Sequence, residues 1–328
     1  MIFVFDLEGP LSPMDHAAEA MRVIGKKLKR PDFFDLFQML SLYDDELTIE
    51  KYPGYNPGDT LRLIAPIVSS KLTDKELKKI SEKATLTPGA KDLIASLDKK
   101  NVYVASTSYQ QHAYTVAKKL GIRRKNVNCT KLPRFKEFPL FDELLEIFKK
   151  YKKNKSDIKA VKADLDSLFW KKLPKKYLST KVCGGQRKMD VVKRVSRQRR
   201  MPISDFIVVG DSITDINMLS GVNLASGLAV SFNGNQYSAP KANLCVSAMS
   251  LMALRPLVRT FPEWRHFVRE WSVIKYQLSL LRPKEFAYFE KHKILPDYDE
   301  VIGEGMDEII KRQKEMRVAI RKEYGKLT

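Results

Sequence analysis

The chain has 328 residues, of which 44% are apolar, so it is long enough to bury a large core in one or two domains. Lysine and arginine number 59 against 39 acidic residues, and the resulting formal charge of +20 is compatible with anionic partners or substrates, although lysines interleaved with acids are more typical of solvated helix surfaces. Three cysteines, far apart and odd in number, exclude a disulfide framework and a CxxC zinc site and favour a reducing compartment.

The N-terminal apolar run is too short for a secretory signal. Asp6 and Glu8 interrupt it after five residues, and no basic segment precedes it. The longest other apolar stretch, residues 244–254, contains serines and is too short to span a bilayer. We therefore expect a cytoplasmic protein without membrane insertion.

Short apolar runs alternate with helical patterns along much of the chain. The first run is residues 2–5, and further strands are predicted at 102–106, 206–210, 228–232 and 243–247. Strands that alternate with helices are typical of a Rossmann-like α/β fold with a doubly wound parallel sheet. Functional groups in such a sheet collect at the carboxyl ends of the strands.

Three segments break this alternation. Residues 13–83 contain four helical patterns and no convincing strand, which predicts an inserted helical cap. Residues 136–176 are predicted to be a basic helical insertion, and residues 257–328 a helical C-terminal extension with Trp264 and Trp271 on one helix face. The predicted core is then made of residues 1–12, 84–135 and 177–256.

Four polar motifs occur where a strand ends or a helix begins. They are Asp6 with Glu8 after the first strand, Ser106 with Thr107 at the second, Lys188 after the glycines at 184–185, and Asp211 with Asp215 after the strand at 206–210. Together they supply a nucleophile or metal ligand, a hydroxyl, a cation and a carboxylate pair. Phosphoryl transfer through an aspartyl-phosphate requires this set of groups.

In this order the motifs resemble those of the haloacid dehalogenase superfamily of phosphohydrolases. Residues 86–97 and 231–235 are also similar to the family's sequence near its second and fourth motifs. The resemblance covers about half of the chain and excludes both 136–176 and the C-terminal extension. The matching motifs are Phe-Asp6-Leu-Glu8-Gly-Pro, Ser106, Lys188 and Gly-Asp211-Ser-Ile-Thr-Asp215.

The resemblance implies Mg²⁺-dependent hydrolysis of a small phosphorylated metabolite. Asp6 would attack phosphorus, and Glu8 would protonate the departing alkoxide and then take a proton from the hydrolytic water. Mg²⁺ prefers hard oxygen ligands. The expected metal ligands are Asp6, Glu8 through its backbone carbonyl, Asp211 and Asp215, and the expected phosphate ligands are Ser106, Thr107 and Lys188.

Several alternatives remain open at this stage. The family usually has Asp where this chain has Glu8, and the longer side chain alters the geometry of leaving-group protonation. Asp-x-Glu-Gly occurs in a branch that resembles phosphoserine phosphatases with phosphotransferase ability, so an alcohol could replace water as acceptor. Ser108 competes with Ser106, and Arg187 competes with Lys188. His16 is the one histidine considered as a substrate contact.

Other partners follow from other parts of the sequence. Residues 6–13 are also similar to an archaeal branch described as subunit R of an energy-converting hydrogenase, which implies gene association rather than a reaction. A non-catalytic subunit that binds a protein partner through the C-terminal helices is therefore a second hypothesis. The basic runs 149–155 and 193–200 make nucleic-acid binding a third, less favoured one, because such runs are usually solvated helix faces.

Overall fold

The computed structural model describes residues 1–274, 295–303 and 305–325. These residues contain a seven-stranded sheet in the order β3-β2-β1-β4-β5-β6-β7. Strands β1 to β6 run parallel, and β7 pairs antiparallel with β6. The predicted α/β class is confirmed. The strands are β1 (Ile2–Phe5), β2 (Val102–Tyr109), β3 (Val127–Thr130), β4 (Phe206–Gly210), β5 (Leu228–Phe232), β6 (Leu244–Ser247) and β7 (Asp297–Glu300).

Helices flank this sheet, and helices also make up the segment that the sequence predicts to be a cap. That segment, residues 13–83, holds α1 to α4 and no strand. The helices described are α1 (His16–Lys27), α2 (Phe33–Ile49), α3 (Thr60–Lys71), α4 (Asp74–Glu82), α5 (Ala90–Ala95), α6 (Gln110–Leu120), α7 (Phe141–Lys153), α8 (Lys162–Asp166), α9 (Gln186–Arg199), α10 (Ile216–Leu224), α11 (Leu254–Thr260), α12 (Trp264–Ile274) and α13 (Met306–Tyr324).

Strand β1 lies in the middle of the sheet and is buried along its whole length. It pairs with β2 on one edge and β4 on the other, and its alternating side chains enter the hydrophobic clusters on both faces. A continuous apolar run suits a strand that is covered on both faces. The backbone N–H of Asp6 donates to the carbonyl of Val209 at 2.8 Å, so the residue after β1 is held by the sheet.

The two outermost strands were not predicted. Strand β3 has half-buried Asn128 and Cys129 at its centre, and in β7 only Tyr298 is buried. Edge strands of this kind lack the apolar run by which the inner strands are recognised. Because β7 belongs to residues 257–328, the C-terminal extension is not wholly helical as predicted.

The basic insertion packs on the outside of the cap. The Tyr43 hydroxyl of α2 donates to Asp166 at 2.5 Å and accepts a hydrogen bond from the indole of Trp170 at 2.8 Å. Phe169 stacks on the same tyrosine ring. None of residues 136–176 lines the pocket between the cap and the strand ends, so the insertion packs on the side of the cap that faces away from that pocket.

The described parts of the C-terminal extension fold back on the core. Trp264 and Trp271 are each 2% exposed, as expected for one buried helix face. Helix α13 buries Ile309 and Ile320, and the fully buried Gln313 between them reaches the end of β5. Among the helices that the structure describes, none is long and apolar enough to cross a membrane.

Candidate active site

A pocket opens where the carboxyl ends of β1, β2 and β4 face the cap. Its cavity measures about 240 Å³. The strand ends contribute Asp6 and Asp211 to its lining, while α2 and α3 of the cap contribute Phe37 and Leu61. Functional groups of parallel sheets are expected at this edge. The site residues predicted from the sequence are therefore expected at this pocket.

Three buried aspartates meet at the base of this pocket. Asp6 follows β1, Asp211 follows β4, and Asp215 ends the short turn after it. One carboxylate oxygen from each lies within 4.8 Å of the others. The Oδ2 atom of Asp215 accepts the backbone N–H groups of Asp211 at 2.9 Å and Ser212 at 3.1 Å, which fixes the turn. We call these three residues the carboxylate cluster.

Lys188 is buried beside the carboxylate cluster. Its Nζ atom lies 2.9 Å from Asp6 Oδ2 and 2.7 Å from Asp215 Oδ1. The neighbouring Arg187 instead donates to Asp59 of the cap at 2.7 Å and to the Val182 carbonyl at 2.9 Å. The two candidate cations at the start of α9 therefore point to different partners, and the lysine is the one at the cluster.

Close backbone contact with the cap explains one glycine before α9. A Cβ atom on Gly184 would lie 2.2 Å from the carbonyl oxygen of Pro57, a distance that real structures do not allow. Gly184 thus permits the loop before α3 to approach the loop that carries Lys188. This contact brings the cap close to the carboxylate cluster.

Burial and neighbouring charges shift the pKa values of several groups in the cluster. Burial, and then the charge of Asp215, raise the pKa of Asp6 well above its usual range. Burial also raises the pKa of Asp211. Burial lowers the pKa of Lys188, but Asp215 and Asp6 outweigh it and the net shift is upward. Carboxylate oxygens are the ligands that Mg²⁺ prefers, so the donor set of these three aspartates fits Mg²⁺.

Glu8 lines the pocket, and its carboxylate accepts hydrogen bonds from two donors. Its Oε1 atom accepts the backbone N–H of His16 at 3.0 Å and the hydroxyl of Ser108. Burial, and then the charge of Asp15, raise the pKa of Glu8 to about 8. The carboxyl is therefore mostly protonated at pH 7 and able to donate a proton.

The hydroxyl residues of β2 divide between core and pocket. Ser106 is fully buried, and its Oγ atom accepts the backbone N–H of Ser108 at 3.1 Å. Thr107 and Ser108 line the pocket. The phosphate-binding role of Ser106 and Thr107 stays a prediction, and Ser108 joins them as a pocket residue that the sequence kept as an alternative.

The side chain of His16 is directed into the packing between cap and core. Its ring is fully buried and stacks on the ring of His112, with 4.6 Å between the ring centroids. Its Nε2 atom lies 3.1 Å from the Ser81 hydroxyl. Only the backbone N–H of His16 reaches the site, through Glu8. The substrate contact considered for this histidine is therefore not seen.

Sequence reasoning missed two arginines that α13 brings to the pocket. Arg317 Nη1 lies 2.5 Å from Asp211 Oδ2 and also donates to the Asp211 carbonyl at 2.8 Å. Arg321 Nη2 lies 4.0 Å from the same carboxylate oxygen. We call these two residues the arginine pair. The available signal was the four-residue spacing of Gln313, Arg317 and Arg321 on the helix face that includes Ile320.

Comparison with known proteins bears on the fold. No protein-family model and no curated protein matches the chain. The gene product AF1437 from Archaeoglobus fulgidus aligns with a TM-score of 0.77 and 25% identity, covering 99% of this chain and 98% of that chain. A phospho-aspartyl intermediate analogue of phosphoserine phosphatase aligns with a TM-score of 0.52 and 16% identity, covering 78% of this chain and 97% of that chain.

A substrate-bound phosphoserine phosphatase complex gives a similar result, with a TM-score of 0.50, 16% identity, and coverage of 78% of this chain and 96% of that chain. None of these matches supports the resemblance to a hydrogenase subunit. The chain therefore shares its overall fold with these phosphoserine phosphatases.

Proposed function

We propose that the chain is a Mg²⁺-dependent phosphatase that hydrolyses a small phosphomonoester through an aspartyl-phosphate at Asp6. The observation that carries this proposal is the carboxylate cluster bridged by Lys188, which lies at the base of a pocket beside the proton donor Glu8. The fold shared with phosphoserine phosphatases supports the same reaction class.

Asp6 is positioned to act as the nucleophile. Its Oδ1 atom accepts the backbone N–H of Leu7 at 2.7 Å, and Lys188 holds Oδ2. These contacts fix the carboxylate at the end of β1. In the first step an oxygen of Asp6 forms a bond to phosphorus as the bond from phosphorus to the leaving oxygen breaks. Lys188 offsets part of the negative charge that this attack brings together.

Glu8 handles the protons of both steps. In its protonated form it donates to the departing alkoxide, which leaves as a neutral alcohol. The resulting carboxylate then takes a proton from the water that attacks the aspartyl-phosphate, and free phosphate and Asp6 are released. Ser108 and the His16 N–H orient the carboxyl by their hydrogen bonds to Oε1.

Mg²⁺, when bound, would neutralise charge on the phosphoryl oxygens and so allow an anionic nucleophile to approach. Asp6, Asp211 and Asp215 would hold it, with the backbone carbonyl of Glu8 as a further oxygen ligand. Because Asp215 already accepts two backbone N–H groups through Oδ2, its Oδ1 atom, which now faces Lys188, is the oxygen directed towards the cluster.

The size of the pocket limits the substrate. A cavity of about 240 Å³ is smaller than most sites for drug-sized ligands, so it suits a small phosphorylated metabolite rather than a protein or a nucleotide polymer. The cap closes one side through Phe37, Ser41 and Thr60. A phosphoserine-like ester remains the first substrate to try.

The test is phosphate release from a panel of small phosphomonoesters, with and without Mg²⁺. We expect metal-dependent release from the natural chain and none from Asp6→Asn. Asp190→Asn, at an exposed acid of α9, is the matched control and should keep the natural rate. Circular dichroism would establish that both variants are folded. Release of phosphate from no ester, or an unchanged rate in Asp6→Asn, would contradict the proposal.

Product analysis with added alcohols separates hydrolysis from phosphotransfer. If the aspartyl-phosphate passes to water, free phosphate accounts for all of the ester consumed. A phosphorylated alcohol among the products would show that the same chemistry serves a phosphotransferase instead.

A further inference from the structure

One buried side chain of helix α13, Gln313, makes several hydrogen bonds to the core. Gln313 Oε1 accepts the backbone N–H of Gly234 at 2.5 Å and the hydroxyl of Ser231 at 3.1 Å. Its Nε2 atom donates to the Ser231 carbonyl at 3.1 Å and to the Ser247 hydroxyl at 3.3 Å. All these partners lie at or just beyond the ends of β5 and β6. The next two turns of the helix therefore reach the pocket in a set position.

Only one member of the arginine pair is engaged by an acid at close range. Arg317 makes the 2.5 Å ion pair with Asp211 and also binds its carbonyl, so its guanidinium is used to hold that residue. For Arg321, the nearest acid in the described part of the chain is the same Asp211 oxygen at 4.0 Å. Arg321 is one of the residues that line the cavity, and 40% of its side chain is exposed.

The surroundings of Arg321 place it on the leaving-group side of the pocket. Besides Asp211, the acids whose charges act on it most are Asp15 and Glu8. Glu8 is the residue that protonates the leaving oxygen in the proposed reaction. A substituent carried by the alcohol part of the ester would therefore come near Arg321, whereas Lys188 serves the phosphoryl side.

We propose that Arg321 binds a second anionic group, a carboxylate or another phosphate, on the alcohol portion of a phosphomonoester substrate. This inference rests on the proposed function, because it takes the pocket to be a phosphomonoester site. An arginine can bind either anion through two parallel hydrogen bonds, which gives both affinity and orientation. The C-terminal extension would then determine which esters the enzyme accepts.

Binding of non-hydrolysable phosphonates tests the inference without relying on turnover. 3-Phosphonopropionate and propylphosphonate differ by one carboxylate, and their affinities can be compared by calorimetry in the presence of Mg²⁺. We expect the natural chain to bind the carboxylated compound about tenfold more tightly or better. Arg321→Gln should bind both equally, and Arg321→Lys should keep part of the preference.

Lys322→Gln is the matched control. Lys322 is the next residue of the same helix turn, carries the same charge and is exposed. We expect this variant to keep the full preference for the carboxylated phosphonate. Melting temperatures of the three variants would show that the helix remains in place.

Turnover of paired esters extends the test to substrates. Phosphoserine and phosphoethanolamine share the ammonium group and differ by the carboxylate, which matters because Asp44 and Asp45 also line the pocket and attract cations. Phosphoglycolate and ethyl phosphate form a second pair without an ammonium. The ratio of kcat/KM within each pair should favour the carboxylate in the natural chain and approach one in Arg321→Gln.

The outcomes separate this inference from the proposed function. A carboxylate preference in binding that is lost in Arg321→Gln supports the inference even if no ester is hydrolysed. Hydrolysis with no such preference supports the phosphatase and overturns the inference. Equal losses for both members of each pair in Arg321→Gln would also overturn it, as would phosphonates that do not bind at all.

Discussion

The carboxylate cluster and the arginine pair meet at one pocket, yet the chain holds them in different ways. Asp6 and Asp211 directly follow buried neighbouring strands, and the sheet's hydrogen bonds fix their backbones. The arginine pair comes from a helix about one hundred residues later, which one glutamine and a few apolar side chains anchor. The cluster is thus built into the fold, whereas the pair depends on how an added helix packs.

Under the proposed function, this difference suits the two groups to different tasks. Chemistry that requires fixed geometry falls to the strand ends, where a displacement would disturb the whole sheet. Recognition of a particular ester would fall to Arg321 of the extension, which lies further from the carboxylate cluster than Arg317. Variants at the cluster should therefore affect both rate and folding, and variants at Arg321 mainly the choice of substrate.

The largest effect is expected from Lys188→Met. Removing the lysine leaves Asp6 and Asp215 buried without their cation, which costs about 3–5 kcal/mol of unfolding free energy. Burial already raises the pKa of Asp6, and without Lys188 the nearest opposing charge is gone, so the loss should be greater at pH 8 than at pH 5. Denaturant unfolding at the two pH values measures this, and phosphate release should fall by about a thousandfold or more.

Lys193→Met is the control for that experiment, because Lys193 is exposed on the same helix. Its unfolding free energy should change by no more than about 0.5 kcal/mol. A Lys188→Met variant as stable as this control at pH 8 would mean that the cluster does not depend on the lysine.

Gln313→Leu should have the next largest effect and tests the anchor of the arginine pair. The change removes the acceptor of the buried Gly234 N–H, which costs about 1–3 kcal/mol. Because Arg321 lies two turns further along, its carboxylate preference should weaken as well. Denaturant unfolding and the phosphonate titration measure the two consequences.

Lys314→Leu, one residue along on the exposed side of α13, serves as the comparison. It should leave both the unfolding free energy and the ligand preference close to those of the natural chain. Equal behaviour of the two variants would show that Gln313 does not position the helix.

The pH dependence of the reaction should report the proton held by Glu8. In the proposed reaction the protonated carboxyl of Glu8 is the active form. Because its pKa is raised to about 8, kcat should fall about tenfold per pH unit above that value. The Ser108 hydroxyl stabilises the carboxylate, so Ser108→Ala should raise the pKa further and move this decline to higher pH. Rates measured from pH 6 to 10 show the decline directly.

Two further variants identify the titrating group. Thr115→Ala removes a hydroxyl that, among the described residues, bonds only within α6. In this variant kcat should decline over the same pH range as in the natural chain. Glu8→Gln should lose the decline along with most of the rate. A decline that persists in Glu8→Gln would assign the titration to another group.

The same contrast explains what the sequence could reveal. Strands β1, β2 and β4 are recognisable because both their faces are buried and their residues are almost all apolar. A polar residue lies within a few positions of the end of each strand. Asp6 and Asp211 could therefore be identified from the local pattern and the family resemblance together. The site residues that depend on sheet topology alone were therefore predictable.

Features that depend on distant packing were not predictable in this way. Strand β7 has one buried residue and is a strand only because β6 lies beside it. Arg321 carries no local mark of function, and its position follows from the hydrogen bonds of Gln313 to a loop about eighty residues earlier. His16 was considered for its closeness in sequence to Glu8, but the direction of its ring is set by His112.

The smallest effect is expected from Arg187→Gln, which separates two adjacent cations. Arg187 is partly exposed and joins the cap by its ion pair with Asp59, which also lies 3.6 Å from Arg62. Losing one of two partners should cost about 1 kcal/mol and leave kcat within about tenfold, because the residue does not reach the carboxylate cluster. Denaturant unfolding and phosphate release, each measured for Arg187→Gln and for Lys188→Met, give the difference between the two variants. A loss of rate as large as that of Lys188→Met would mean that the cap contact, and not only the lysine, is required to assemble the nucleophile.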